Sequence, residues 1–406
     1  MRKILYITAE GFDTPNPNNQ MAEVMIRDFL EYGFSVHLIQ SHRKGENADI
    51  PESLHKFKNL SCDTINRKIV DKTNFISRYL NDVAFSFQAL SYWKRVSDVD
   101  VIYLQSNPTI IFSMILLKIS MRKTPIVYSI YDIFPGHAHN IGVIRSKFVF
   151  EILRIIQKPC YKLPAVIIVL GEDMKAKVVE QGADPEKVFV IPAWFDINST
   201  KEISIDDNKF IKKYAISSAK FIVQYAGTVG YVFNYHTVIE LAKRIIDYEN
   251  IVIHIIGDGN VKRKFIQETT NLNLTNIKFF PLQPVELVPD VYSECDIALI
   301  PLQKGVIGNG IPSKAPIIMA CHRPIVNSVE LNSKYAQMFN NNHIGISVDI
   351  DDYDKLAAVI IDLSRSLNCV HRMADNAYDF SRKNYSSTLS TLKLIGIFEG
   401  LVSAKL

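Results

Sequence analysis

The stretch Gly308-Asn309-Gly310-Ile311-Pro312-Ser313-Lys314-Ala315-Pro316 combines residue types that can hold a phosphate. Glycines let the backbone approach an anion, a serine hydroxyl donates, and Lys314 supplies a compact positive charge where a helix is expected to begin. Ile297–Pro301 before it reads as a buried strand. Ile317-Ile318-Met319-Ala320 after it opens a helix, and Pro324-Ile325-Val326 resumes a strand. Taken alone, the same text also describes a surface loop with a solvated lysine. Two further turns change that balance. Tyr225-Ala226-Gly227-Thr228-Val229-Gly230 and Ile256-Gly257-Asp258-Gly259 each close an apolar strand with glycines. Neither spacing is a dinucleotide fingerprint, but three such strand ends in one domain point to one nucleotide-type site. Its candidate residues are Gly227, Thr228, Gly257, Asp258, Asn309, Gly310, Pro312, Ser313 and Lys314.

Other reactive residue types carry less. Asp132, in Tyr131-Asp132-Ile133-Phe134-Pro135, ends a strand in the first half, where its carboxylate serves either as a catalytic group or as a turn cap. His137-Ala138-His139 lacks a clear third ligand and reads as a plain loop, so no metal site is expected. Asp98-Val99-Asp100 precedes a strand and reads as a solvated turn. No Ser/His/Asp or Cys/His nucleophile arrangement is evident. Val143–Lys162 interleaves Arg145, Lys147, Arg154, Lys158 and Lys162 with Phe148, Phe150, Leu153 and Ile156. That pattern suits a helix covering a sheet, which is preferred by a small margin over a helix resting on an anionic membrane surface.

These residues need a scaffold that brings strand ends together. The first half alternates expected strands (4–9, 35–39, 100–104, 126–130, 165–170, 188–191) with helices (21–32, 75–95, 109–120, 147–158, 171–181), and residues 41–72 read as loop. After a polar bridge from Asp196 to Asp207 the pattern restarts, with strands at 221–225, 251–256, 277–280, 296–301, 324–327 and 344–348. Helices are expected at 236–248, 260–271, 285–293, 313–320 and 352–366, and two more at 369–383 and 386–403 close the chain. Parallel strands need covering crossovers, so this is an α/β chain of two Rossmann-like, doubly wound domains facing a cleft.

The 406 residues, 48% apolar and 22% charged, suit two folded domains. A net charge of +4 gives no argument for nucleic acid. The five cysteines form no disulfide or zinc framework and suit a reducing compartment. The amino-terminal text runs straight into a strand, and the longest apolar run, Ile110–Leu117, is far below spanning length. A cytoplasmic protein is expected.

The chain resembles the GT-B-fold, retaining nucleotide-sugar glycosyltransferases, in particular the bacterial capsule, O-antigen and exopolysaccharide branch that includes aminosugar transferases. The residues that carry the likeness span nearly the whole sequence: Leu170–Met174, Gly182–Val188 and Ile191–Asp196, then Tyr225–Gly230, Ile256–Gly259 and Tyr292–Leu302. Pro312-Ser313-Lys314, Met319-Ala320, Arg323–Val326, Phe380-Ser381 and Tyr385 complete it in family order. The resemblance implies an acceptor-side domain, 1–195, completed by a returning helix, 386–406, and a donor-binding domain, 196–385. It implies that Ser313 and Lys314 hold the donor diphosphate and that Gly227 and Thr228 line the donor pocket; the catalytic candidates are then Lys314 and, from its place at a strand end, Asp132. Attack on the face the diphosphate leaves would retain configuration without a glutamate nucleophile, a metal or a cofactor. The implied partners are a nucleotide sugar, UDP favoured, and a polyprenyl-diphosphate-linked glycan, with peripheral contact at the inner membrane face. Departures are specific. Two glutamates eight apart in the family read Asn309 and Ile317; a basic residue is Tyr231; a histidine is Tyr131; a glycine pair is Gln20-Met21. Ile317 cannot accept a ribose hydroxyl, and Pro316 falls at the helix start. These changes support a second reading, a weakly active or inactive GT-B partner or glycan-binding subunit of a polysaccharide assembly.

Overall fold

A computed structural model describes residues 2–12, 17–43, 50–67, 75–196 and 199–403. The chain divides into two compact units: Met1–Ala193 with Gly308–Ile311 and Ser387–Leu406, and Trp194–Ile307 with Pro312–Ser386.

Among the described residues, unit 1 holds a seven-stranded sheet: β1 (Lys3–Ile7), β2 (Ser35–Arg43), β3 (Leu60–Arg67), β4 (Val101–Gln105), β5 (Ile126–Ile130), β6 (Val166–Val169) and β7 (Val188–Val190). Its order is β3-β2-β1-β4-β5-β6-β7, with every pairing parallel. The central strands β4, β5 and β6 are buried at every position, as continuous apolar runs in a two-faced sheet must be. Within 41–72, expected to be loop, β2 continues to Arg43 and β3 adds a strand, while residues 44–49 and 68–72 lie outside the described residues. The polar text of β3 follows from its edge position, where Ile65 alone is fully buried.

The last helix, Ser387–Ser403, belongs to unit 1. Phe398 is fully buried, with ring centroids 5.1 Å from Phe29 and 6.1 Å from Tyr103. Thr391 Oγ1 donates to Asp28 Oδ2 at 2.8 Å, and Arg2 pairs with Glu399. Chain start and chain end are thus tied into one core.

Unit 2 is built around β8 (Phe221–Ala226), β9 (Ile251–Ile256), β10 (Ile277–Phe280), β11 (Ile297–Pro301), β12 (Ile325–Ser328) and β13 (Gly345–Val348). Among the described residues these form a parallel six-stranded sheet in the order β10-β9-β8-β11-β12-β13. The chain therefore reverses direction across the sheet at β8 and β11, the topological switch point at which ligands of such sheets bind. Three expectations shift here. The helix expected over 285–293 is a 3-10 turn, Val285–Leu287, followed by a helix over Val288–Tyr292. A short helix, Lys209–Tyr214, escaped notice because only Phe210 is buried on it. The helix expected from 313 runs Ala315–Ala320, with Pro316 in its first turn, where a missing N–H costs nothing.

Under this sheet lies a buried polar cluster. Gln224 and His254 are register neighbours on β8 and β9. His254 Nδ1 pairs with Glu294 Oε1, and Gln224 Nε2 donates both to Glu294 Oε2 and to Val291 O.

Candidate functional site

At the carboxyl ends of β8 and β9, next to the switch point in unit 2, backbone is pressed against backbone. Gly227 and Gly257 both sit at φ +137°, which side-chain-bearing residues rarely adopt. A Cβ on Gly257 would lie 1.9 Å from Gly227 O, and one on Gly259 would lie 2.2 Å from Val229 O. The interlock is sealed by Gly227 N–H to Ile256 O and Val229 N–H to Asp258 O, each 2.9 Å. Lys262 Nζ reaches across from the following helix to Gly257 O and, at 2.9 Å, to Phe280 O. The two glycine turns are therefore one object, and the glycines are required by packing within the protein itself.

Lys314 lies over this object. Its Nζ donates to Ala226 O at 3.0 Å and stands 3.8 Å from the centroid of the Tyr225 ring. A Cβ on Gly227 would come within 2.6 Å of that nitrogen, so Gly227 is the space the ammonium uses. The Tyr225 ring is itself fixed, its hydroxyl donating to Thr228 O at 2.6 Å and its face against Phe233 at 4.1 Å. Lys314 as a residue is part-buried, but its ammonium is enclosed, and this loss of hydration pulls its pKa down to about 7. Among the described residues it has no carboxylate partner. An ammonium enclosed this way, on a backbone carbonyl and an aromatic face with no carboxylate to balance it, is a ready seat for an anion.

The remaining candidates fall as follows. Thr228 is exposed beside the turn, and Ser313 and Pro312 are part-buried just before Lys314. Asp258 is exposed and lines an open cavity of about 620 Å³ with Asn260, Lys262, Arg263 and Leu282. Asp132, Asn309 and Gly310 come together in unit 1. Ile133 N–H donates to Asn309 O at 2.8 Å, and a Cβ on Gly310 would lie 2.8 Å from Asp132 Oδ1. A Cβ on Gly136 would meet Asn309 Oδ1 at 2.3 Å, so the loop Gly308–Ile311 is fitted closely to the turn after β5. The nine donor-site candidates thus divide between the units, Asn309 and Gly310 in one and the rest in the other.

Two contributors were not read from the sequence. Tyr225 was taken only as part of its strand, although an aromatic immediately before a glycine turn is the available signal for a cation shelf. His137 was set down as loop; it lies on a short helix, Gly136–Asn140, with Nδ1 3.7 Å from Asp132 Oδ1. Among the described residues no group of three or more His, Cys, Asp or Glu is placed to hold a metal ion.

Residues 206–380 match the family described as "Glycosyl transferases group 1", and residues 56–194 match "Glycosyl transferase 4-like domain". Between them the two glycosyltransferase models match parts of both halves of the chain. Its two parallel-sheet units are those of the GT-B fold. WbjE of Pseudomonas aeruginosa, named as a probable glycosyltransferase, is 25% identical over 341 residues, covering 82% of this chain and 83% of that one. WcaI of Escherichia coli, named for a glycosyl transferase of colanic acid biosynthesis, is 26% identical over 193 residues, 47% of each chain. The structure of Anabaena HepE in complex with UDP and glucose has a TM-score of 0.72 at 15% identity, covering 98% of this chain and 100% of that one. At that identity the likeness to HepE is one of fold.

Proposed function

We propose that this protein is a retaining transferase that moves a sugar, aminosugars included, from a UDP-sugar to a lipid-linked glycan in surface polysaccharide synthesis. The observation that carries the proposal is the enclosed, carboxylate-free ammonium of Lys314 over the Gly227–Gly257 interlock at the carboxyl ends of β8 and β9. In this reading Lys314 and the Ser313 hydroxyl hold the donor diphosphate, and Gly227 and Thr228 face the donor. The glycosidic bond to the diphosphate breaks while the acceptor oxygen bonds the anomeric carbon on the same face. Charge grows on the departing diphosphate, so a cation already in place stabilises the transition state more than the ground state. Asp132, whose carboxylate is 60% exposed, is assigned to the acceptor hydroxyl, with His137 beside it. The fold shared with a UDP complex and the colanic acid name of one relative support the donor and the glycan class.

Ile317, part-buried where the family carries a glutamate, favours the second reading of a weakly active or inactive GT-B partner or glycan-binding subunit. Calorimetric titration with UDP and with GDP, beside Lys314→Ala, separates the two. UDP binding lost in the variant supports the transferase. Preference for GDP moves the donor class, and absence of both bindings hands the lead to the partner reading.

A further inference from the structure

His137 and His139 stand two residues apart on the short helix Gly136–Asn140, and only one of them is spent on structure. His139 Nδ1 donates to Ile144 O at 2.7 Å, and its ring stacks on Phe150 with centroids 4.5 Å apart. His137 has no such employment. Its backbone is fixed, the N–H donating to Ile133 O at 2.8 Å and the carbonyl accepting from Ile141 N–H at 3.1 Å. Its Nδ1 is shut off from solvent, has no hydrogen-bond partner among the described residues, and faces Asp132 Oδ1 at 3.7 Å. Buried polar atoms are seldom left this way, and the exceptions call for a functional account.

The space around this pair is kept by glycines. Neither Gly136 nor Gly310 has a positive φ, so neither is there for its backbone. A Cβ on Gly310 would lie 2.8 Å from Asp132 Oδ1 and 3.7 Å from His137 Nδ1, crowding carboxylate and imidazole together. The loop that carries Gly310 is seated on either side of it: Asn309 fits against Gly136, and a Cβ on Gly171 would lie 3.2 Å from Ile311 Cγ1. Under this loop the Asp132 side chain stays 60% exposed and that of His137 19%. Nδ1 contributes nothing to the exposure of the ring. The open edge of His137 is therefore the one remote from Nδ1, which carries Nε2.

A neutral imidazole carries one proton, and the nitrogen that faces a carboxylate keeps it. With Nδ1–H toward Asp132, the lone pair sits on Nε2, at the open edge. A carboxylate so placed selects the tautomer, orients the ring and stabilises the imidazolium once it forms. Of the two residue types imidazole is the stronger base, by about 2.6 pH units in free form. The carboxylate thus suits holding a hydroxyl, and the imidazole suits receiving its proton.

We infer that His137 takes the proton of the acceptor hydroxyl at Nε2, with Asp132 fixing the ring and balancing its charge. The inference rests on the transferase reading above and deepens it. The acceptor O–H bond breaks toward Nε2 while the acceptor oxygen bonds the anomeric carbon. The electron pair of the anomeric C–O bond leaves with the diphosphate. The imidazolium, held beside Asp132, then gives its proton to solvent.

The test uses the full chain and reads UDP release from UDP-glucose and from UDP-N-acetylglucosamine, with water standing in for the acceptor hydroxyl. His137→Ala should lower kcat about a hundredfold, while KM for the UDP-sugar and UDP affinity by calorimetry stay within about twofold. Added imidazole should raise the rate of His137→Ala about tenfold or more and leave Asp132→Asn unchanged, a rescue that a merely structural role would not give. The double variant Asp132→Asn/His137→Ala should fall within about threefold of His137→Ala, because the two side chains act as one unit. His139→Gln, which loses only the structural contacts, should lower the thermal midpoint and keep kcat within about twofold. A wild-type chain that turns over neither UDP-sugar sinks the transferase reading, and this inference with it. Turnover in the wild type that His137→Ala matches, or a loss in His137→Ala that imidazole leaves untouched, overturns this inference alone.

Discussion

If a diphosphate occupies the seat at Lys314, binding must take up a proton at mildly alkaline pH. In the free protein the enclosed ammonium has its pKa pulled down to about 7, against an ordinary lysine value near 10.4. A bound diphosphate favours the charged form and raises that pKa. The sign follows: affinity is full below the free-state value and falls as pH rises through it, until the bound-state value is reached. The slope approaches tenfold per pH unit, about 1.4 kcal/mol each. At pH 8 only about a tenth of free Lys314 is protonated, so about 0.9 proton should enter with each ligand. Titration with UDP in two buffers of different ionisation enthalpy measures that number directly. Lys314→Arg, whose guanidinium stays charged, supplies the control: its uptake at pH 8 should be near zero and its affinity flat from pH 7 to about 9. Uptake of zero in the wild type at pH 8, or equal slopes for wild type and Lys314→Arg, would refute the assignment of the anion to this ammonium.

Three other outcomes test separate parts of the structure. Gly257→Ala places a methyl 1.9 Å from Gly227 O at a strained φ, and should cost unit 2 at least about 2 kcal/mol in denaturant unfolding. Asp132→Asn should leave UDP affinity within twofold while lowering turnover of the preferred UDP-sugar about a hundredfold or more, with Gly310→Ala, whose methyl would crowd Asp132 Oδ1, producing a smaller loss of the same kind. Glu294→Ala strips His254 and Gln224 of their shared buried partner and should destabilise the protein by about 3 kcal/mol, read as a shift in urea midpoint at unchanged m-value.

The central strands were readable because burial on both faces demands continuous apolar text, and β5, β9 and β10 begin and end where the sequence suggests. What burial does not enforce was not readable. The edge strand β3 spells Leu-Ser-Cys-Asp-Thr-Ile-Asn-Arg, and its identity comes from pairing with β2, a contact between segments that local patterning does not register. The site divides in the same way. Lys314 was legible as a lysine after a glycine-rich turn, but the Tyr225 shelf beneath it depends on two strand ends lying side by side. The glycines were read as room for a ligand; at Gly257 and Gly259 the room is filled by the neighbouring turn. Asn309 and Gly310 were grouped with Lys314 by adjacency in sequence, although four residues of that loop are packed as part of unit 1.

The membership of Ser387–Ser403 in unit 1 bears on how the chain is made. Phe398 fills the space between Phe29 and Tyr103, so the first unit lacks a piece of its interior until residue 398 has left the ribosome. The second unit, whose segments end at Ser386, has everything it needs earlier. Synthesis from the amino terminus therefore completes the two units in the reverse of their order along the chain, with the first held open, its aromatic interior uncovered, through the whole translation of the second. Chains on which residue 386 has emerged but residue 398 has not would carry a finished second unit and an unfinished first.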